Sequence, residues 1–274
     1  MSGVSYEALY NMLQFNLYKS LIPIGIQDND CSRLAMVHGV SEEELCRVIM
    51  DIQEINANSA RKLSAELDLS GLTKKPVKIA FLGDSITSDR HSYLNIIRKV
   101  VEGSENIKIL DYSISGHKSA DLFTAMYPDV ISEHVDIAHI LIGTNDMRKM
   151  ADDSGLFHTS PSEYKKNLDY VVRALIEDGT KVVLSTISPV CQEIVQKHYP
   201  NHRMLFMEED RTMFNSIVKG IAEKYGAKIN DMDEIYGRYS VEELTIEDGL
   251  HLNIYGQQLL ALGVAKALMD AINE

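Results

Sequence analysis

Positive charge is scarce in this sequence. Its 274 residues hold 27 lysines and arginines against 40 aspartates and glutamates, a formal net charge of −13. A surface of that sign repels phosphate backbones and anionic lipid heads, so nucleic acid and membrane are not expected partners. No apolar run approaches the roughly 18 residues that a membrane span needs. Cysteine is sparse too. Cys31, Cys46 and Cys191 are an odd number, widely spaced and without a C-x-x-C, so neither a disulfide framework nor a zinc site is expected. The opening residues, Met1 to Glu7, hold no basic stretch followed by an apolar core. A reducing, cytoplasmic setting is therefore the expectation. There is no internal repeat and no low-complexity tract.

What remains is ordinary for a folded protein: 45% apolar and 24% charged residues. The length suits one domain plus an extension. The chain divides near residue 72. Before it, apolar residues recur at helical spacing through Tyr6, Leu9, Met12, Leu13 and Leu17, and again through Leu45, Val48, Ile49, Ile52 and Ile55. Ser41 with Glu44 has the spacing of a capping box. Asp68 to Lys75, ahead of Pro76, is the expected linker. Residues 1–72 thus read as a helical N-terminal extension, a packing or dimerisation surface through which a homo-oligomer could form.

After Pro76 the texture changes. Strands are expected over Val77–Leu82, Ile107–Tyr112, Ile137–Ile142, Lys181–Thr186 and Ala227–Asn230. Helices are expected over Tyr93–Glu102, Ala120–Met126, Ser162–Glu177, Glu208–Tyr225 and Asn253–Ile272. Strands that alternate with helices give βαβ units and a parallel sheet covered on both faces. Residues 73–274 therefore read as one α/β domain of three layers.

Ligands of such a sheet bind beyond the carboxyl ends of its strands. The segments there are Gly83-Asp84-Ser85-Ile86-Thr87, Ser113-Ile114-Ser115-Gly116-His117 and Gly143-Thr144-Asn145-Asp146, while Asp248-Gly249-Leu250-His251 precedes the last helix. Together they supply what acyl transfer requires. A serine alcohol needs an adjacent base, which His251 can be. A carboxylate must hold the imidazole's tautomer and stabilise its charge, and Asp248 is spaced for that. A tetrahedral oxyanion needs preorganised donors. The backbone N–H of Ser85, the backbone N–H of Gly116 and the side-chain amide of Asn145 are the candidates. Gly116, lacking a Cβ, would let main chain approach a substrate.

These four blocks resemble the SGNH hydrolases, also called GDSL esterases/lipases, over about residues 77–272. The resemblance implies a flavodoxin-like sheet, Ser85 as nucleophile, His251 as base, Asp248 as its partner, and Ser85, Gly116 and Asn145 as oxyanion hole. It implies no cofactor and no metal. Two departures touch the pocket wall. Ser88-Asp89-Arg90 follows Thr87 where members often carry glycine, and Asp111-Tyr112-Ser113 replaces the usual Asn-x-Gly of the second block. The chain has no G-x-S-x-G, so it lacks the nucleophile elbow of α/β-hydrolases.

Plainer roles stand beside these. Ser85 could cap a helix, Asp248 could be a solvated turn residue, and Asn145 could bond its own backbone. Asp84 and Asp146 read as structural, and His117 with Lys118 as a solvated loop. Residues 188–207 form a long connection, read either as a lid over the pocket or as a surface insertion. Residues 35–48 have helix-turn-helix spacing. However, residues 1–72 hold five Lys/Arg and ten Asp/Glu, net −5, which disfavours DNA.

The expected function is hydrolysis of small acyl esters, with O-acetyl groups on carbohydrate first among them and a small-molecule ester as the partner. A lysophospholipase, thioesterase or acyltransferase of the same fold is the alternative, and a non-catalytic binding protein stands behind these.

Overall fold

The computed structural model describes residues 4–15, 30–69, 75–152, 154–201 and 203–273. Leu17, residues 70–74 of the expected linker and His202 lie outside the described residues.

Among the described residues, three helices open the chain: α1 (Tyr6–Gln14), α2 (Cys31–His38) and α3 (Glu42–Glu66). The capping box at the start of α3 is present. Ser41 Oγ accepts the Glu44 N–H at 3.2 Å, and Glu44 Oε2 accepts the Ser41 N–H at 3.1 Å. The apolar stripes meet in a small core of Leu9, Leu13, Leu34, Leu45, Val48 and Ile52. α3 is long enough to leave this core. Its later residues Ala60 and Leu63 enter the main core of the molecule.

One expectation fails here. Cys31, at the start of α2, and Cys46, on the first turns of α3, form a disulfide with Cα atoms 5.5 Å apart. An odd count and wide spacing hid a pair that a tight helix–helix turn brings together. The cysteine argument for a reducing setting falls with it.

The remaining elements, in order, are β1 (Val77–Gly83), α4 (Ser85–Ser88), α5 (Tyr93–Val100), β2 (Ile107–Asp111), α6 (Leu122–Ala125), β3 (Ile137–Leu141), α7 (Thr144–Met147), β4 (Lys149–Met150) and α8 (Pro161–Glu177). They continue with β5 (Lys181–Ser185), α9 (Gln192–His198), β6 (Met204–Leu205), α10 (Glu208–Tyr225), β7 (Lys228–Asn230), α11 (Asp233–Tyr236), α12 (Val241–Leu244) and α13 (Ile254–Asn273). The main sheet is parallel, in the order β2-β1-β3-β5-β7. That is the flavodoxin-like order, with its switch point between β1 and β3.

Successive side chains of a strand point to opposite faces, and both faces are covered. Ile79 and Phe81 of β1 join the core under α5 and α13, while Ala80 and Leu82 join the core under α8 and α10. β3 and β5 alternate in the same way. This is the expected three-layer arrangement, preceded by a helical segment. No helix among the described residues is long and apolar enough to cross a membrane.

Three local differences are informative. Pro161 is the first residue of α8, not its predecessor, with Ser160 Oγ accepting the Glu163 N–H at 3.2 Å. Proline suits that position because its missing N–H would go unpaired anyway. The single helix expected over 120–126 is broken into a 3₁₀ turn (Ser119–Asp121), α6 and a π turn (Met126–Val130). The 188–207 connection contains α9, and β6 within it pairs antiparallel with β4.

Candidate active site

The carboxyl ends of β1 and β3 converge because the two strands are neighbours at the switch point. β1 runs straight into α4. Asp84 Oδ1 accepts the Ile86 N–H at 3.0 Å, so Asp84 is the cap and Ser85 is the first helical residue. This removes the simplest structural role for Ser85. Gly83 is needed for the turn, since a Cβ there would lie 2.4 Å from Thr87 Oγ1 and 2.7 Å from the Leu141 carbonyl. Gln257 of α13 clamps the start of this region. Its amide nitrogen donates to the Ile86 carbonyl at 3.2 Å, and its oxygen accepts the Tyr93 N–H at 2.8 Å.

Asp248 and His251 sit on one turn ahead of α13. Asp248 Oδ1 accepts the N–H groups of Leu250 and His251, each at 2.9 Å. Its other oxygen meets His251 Nδ1 at 2.6 Å, and His251 Nε2 lies 2.9 Å from Ser85 Oγ. The hydroxyl, imidazole and carboxylate expected to meet are therefore in hydrogen-bonded sequence. Ser85 is only 8% exposed, and the His251 side chain 14%. An alcohol in such contact with an imidazole can lose its proton to that ring as it attacks an electrophile.

The electrostatics follow from the carboxylates around the ring. Burial works against the charged imidazole, but the Asp248 hydrogen bond and the charges of Asp89, Asp248 and Asp84 outweigh it. The His251 pKa is raised to about 8. Asp248 is lowered, because the His251 ring and the two N–H donors overcome its burial. Asp84, fully enclosed, is pushed up by burial to about 7.

The second and third blocks are tied together. Asn145 Nδ2 donates to the His117 carbonyl at 3.0 Å. Asp146 accepts the Ser119 N–H at 2.9 Å and the Ser119 hydroxyl at 2.6 Å. Asp84 and Asp146 are thus structural, as expected. Gly116 has φ +83°, a left-handed conformation that favours glycine. A Cβ there would meet nothing within 4 Å. Its requirement is therefore conformational, and the space before it is open. Lys118 turns to Asp121, 3.7 Å away.

A cleft of about 490 Å³ opens beside His251 and Asp248. His251, Asp248 and Asp89 are on its wall, and Ser85, Gly116 and Asn145 are not. The 188–207 connection contributes His198 and Tyr199 to it.

The sequence reading missed the other wall, which is α1. The Phe15 ring stands edge-on to His251, centroids 5.0 Å apart. Arg90 pins this end of α1: its Nε donates to the Leu13 carbonyl at 2.8 Å, and its N–H donates to the Gln14 carbonyl at 2.9 Å. Asp89, which departs from the family pattern of the first block, is also on the cleft. Its position one turn beyond Ser85 was the available signal. No sequence signal marks the approach of α1.

Fold and site define a class, a flavodoxin-like α/β hydrolase with a serine, histidine and aspartate in hydrogen-bonded order at its switch point. The chain belongs to the GDSL-like Lipase/Acylhydrolase family, which it matches over residues 81–259. That membership places it among hydrolases of the esterase/acylhydrolase type.

Solved structures share the fold. The acetyl xylan esterase AlAXEase is 22% identical with a TM-score of 0.57, over 70% of this chain and 100% of its own. Axe2, an acetylxylan esterase from Geobacillus stearothermophilus, is 21% identical with a TM-score of 0.55, over 74% and 96%. A lipase/acylhydrolase from Enterococcus faecalis is 16% identical with a TM-score of 0.57, over 71% and 96%. No curated protein matches the sequence.

Proposed function

We propose that the protein is a serine ester hydrolase acting on small acyl esters, with O-acetyl groups on carbohydrate as the first candidates. The observation that carries the reading is the run of contacts from Ser85 Oγ to His251 Nε2 at 2.9 Å and from His251 Nδ1 to Asp248 Oδ2 at 2.6 Å. The acetyl esterases among its structural neighbours support the choice of acyl group.

In this reading Ser85 Oγ attacks the ester carbonyl carbon as its proton passes to His251 Nε2. Charge develops on the carbonyl oxygen, and the N–H groups of Ser85 and Gly116 and the Asn145 amide stabilise it. One Asn145 amide proton is held by the His117 carbonyl, which fixes the amide plane and leaves the second proton for the oxyanion. The imidazolium then protonates the departing alcohol. Water attacks the acyl-serine with the same base, releasing the acid and restoring Ser85. Asp248 keeps the proton on Nδ1 and stabilises the imidazolium.

The test is turnover of p-nitrophenyl acetate and labelling by a fluorophosphonate, comparing wild type with Ser85→Ala. Labelling should vanish and turnover should fall by about 10⁴-fold, the scale of losses when such a serine is removed. Equal background rates in both proteins would reject the reading.

A further inference from the structure

Granted the ester-hydrolase reading, on which this rests, we propose that α1 is the specificity element of the enzyme. It builds the wall against which the leaving alcohol sits, and it selects uncharged, hydroxyl-bearing alcohols over anionic ones.

The geometry of the reaction assigns the cleft to the alcohol. The oxyanion must point toward Ser85, Gly116 and Asn145. The alcohol must depart toward the group that protonates it, which is His251 Nε2. His251, the proton donor to that alcohol, lines the cleft, and the three oxyanion donors do not. Its volume, about 490 Å³, falls in the range of small-molecule sites.

The chemistry of the wall defines the ligand. α1 and the residue after it give Glu7, Tyr10, Asn11, Gln14 and Phe15 to the cleft. Glu7, Asn11 and Gln14 bring polar side chains to this wall. Two amides, a carboxylate and aromatic rings suit a hydroxylated alcohol, which offers both donors and acceptors along with C–H faces.

Carboxylates outnumber the His251 imidazolium in the cleft. Glu7, Asp89, Glu247 and Asp248 all line the cleft, and among the described lining residues there is no lysine or arginine. An anionic leaving group, such as a phosphate- or sulfonate-bearing alcohol, would enter a like-charged, partly enclosed space. Specificity against it is built by repulsion as well as by contacts to the preferred ligand.

α1 lies outside the part of the chain by which the family is recognised. It precedes the family-matched segment, which begins at residue 81. It is nonetheless fixed to the site, by the Arg90 contacts, by Phe15 against His251, and by Tyr10 in hydrogen bond with His91.

The test compares three acetate esters: p-nitrophenyl acetate, a mono-O-acetylated methyl xyloside and 4-acetoxybenzenesulfonate. The readout is the ratio of kcat/KM for each of the latter two to kcat/KM for the first. Both esters are measured on one preparation, so a loss of folded protein cancels. In Asn11→Ala/Gln14→Ala the xyloside ratio should fall about tenfold, through a raised KM. In Glu7→Lys the sulfonate ratio should rise about fivefold, and the rise should shrink with added salt. A ratio within twofold of wild type in either variant overturns the assignment while leaving the hydrolase reading intact. Wild type that fails to turn over p-nitrophenyl acetate overturns both.

Discussion

His251 sits among three carboxylates, and they set the pH at which the chemistry can run. An ordinary histidine, near 6.5, would be half neutral at that pH. Here the Asp248 hydrogen bond and the charges of Asp89 and Asp84 hold the ring at about 8. The general base must be neutral, so kcat/KM should climb with pH and reach half its plateau near 8. Asp89 is the informative member of the group. It lies on the turn after Ser85, and its N–H donates to the Ser85 carbonyl at 2.9 Å. Asp89→Asn should move the acid limb toward lower pH, because one charge favouring the imidazolium is gone. The kcat/KM profile for p-nitrophenyl acetate from pH 5.5 to 9.5 measures it. An unmoved limb would mean that Asp89 contributes nothing and that Asp248 and Asp84 set the value.

The elements of the site differ in how far a sequence can disclose them. The strand ends were legible because their signals are local: short apolar runs, glycine at the turns, and serine, asparagine and aspartate directly after each strand. The Asp248–His251 turn was legible for the same reason. The wall built by α1 was not. Its amphipathic spacing announces a buried face through Leu9 and Leu13 but says nothing of which distant residues the other face will meet. The Cys31–Cys46 pair was hidden in the same way, since only the turn between α2 and α3 brings the two sulfurs together.

That pair closes a loop of 15 residues, for which loss of unfolded-state freedom gives on the order of 3 kcal/mol. The small core of Leu34, Leu45 and Val48 stands beneath it, so the helices should persist without the bond but open more readily. Cys46→Ser, or reductant added to wild type, should speed hydrogen exchange in α2 and the first turns of α3, and reductant should add nothing to the variant. Exchange that is indifferent to reductant in wild type would show that the core alone sets the stability of this segment.

At the scale of the whole molecule, the fold was nearly all readable, since its parallel sheet follows from alternating patterns along the chain. What the patterns could not show is that a polar column crosses the apolar core. Thr87 Oγ1 lies 2.9 Å from Tyr93 OH, which is 3.0 Å from His139 Nδ1. The other ring nitrogen is 2.7 Å from Ser185 Oγ, which accepts from Asn230 at 3.1 Å. The column joins α4, which carries Ser85, to β3, β5 and β7. In sequence, His139 sits inside a run that reads simply as a buried strand. Fully partnered polar groups of this kind hold neighbouring elements in one arrangement, and an incomplete column would be costly.

The same histidine makes a prediction about acid stability. Burial lowers its pKa to about 3, against about 6.5 in an unfolded chain. Between those values the unfolded chain binds a proton that the native protein refuses. Stability therefore falls as pH drops through that window, by about 1.4 kcal/mol per pH unit for this one site. His91, lowered by burial to about 4, acts in the same direction. Asp84, raised to about 7, acts in the opposite one: the native state keeps a proton that the unfolded chain releases, and the resulting stability is lost as pH rises toward 7. The total curve mixes these signs, so the clean quantity is a difference between two proteins. His139→Gln keeps a polar side chain in the column but removes the titration. Measured by urea unfolding at pH 6.5, 5.5 and 4.5, wild type should lose about 1.4 kcal/mol per pH unit more than the variant. Parallel lines would mean that His139 takes up its proton in the folded state as readily as in the unfolded one, and that the column opens to water before the molecule unfolds.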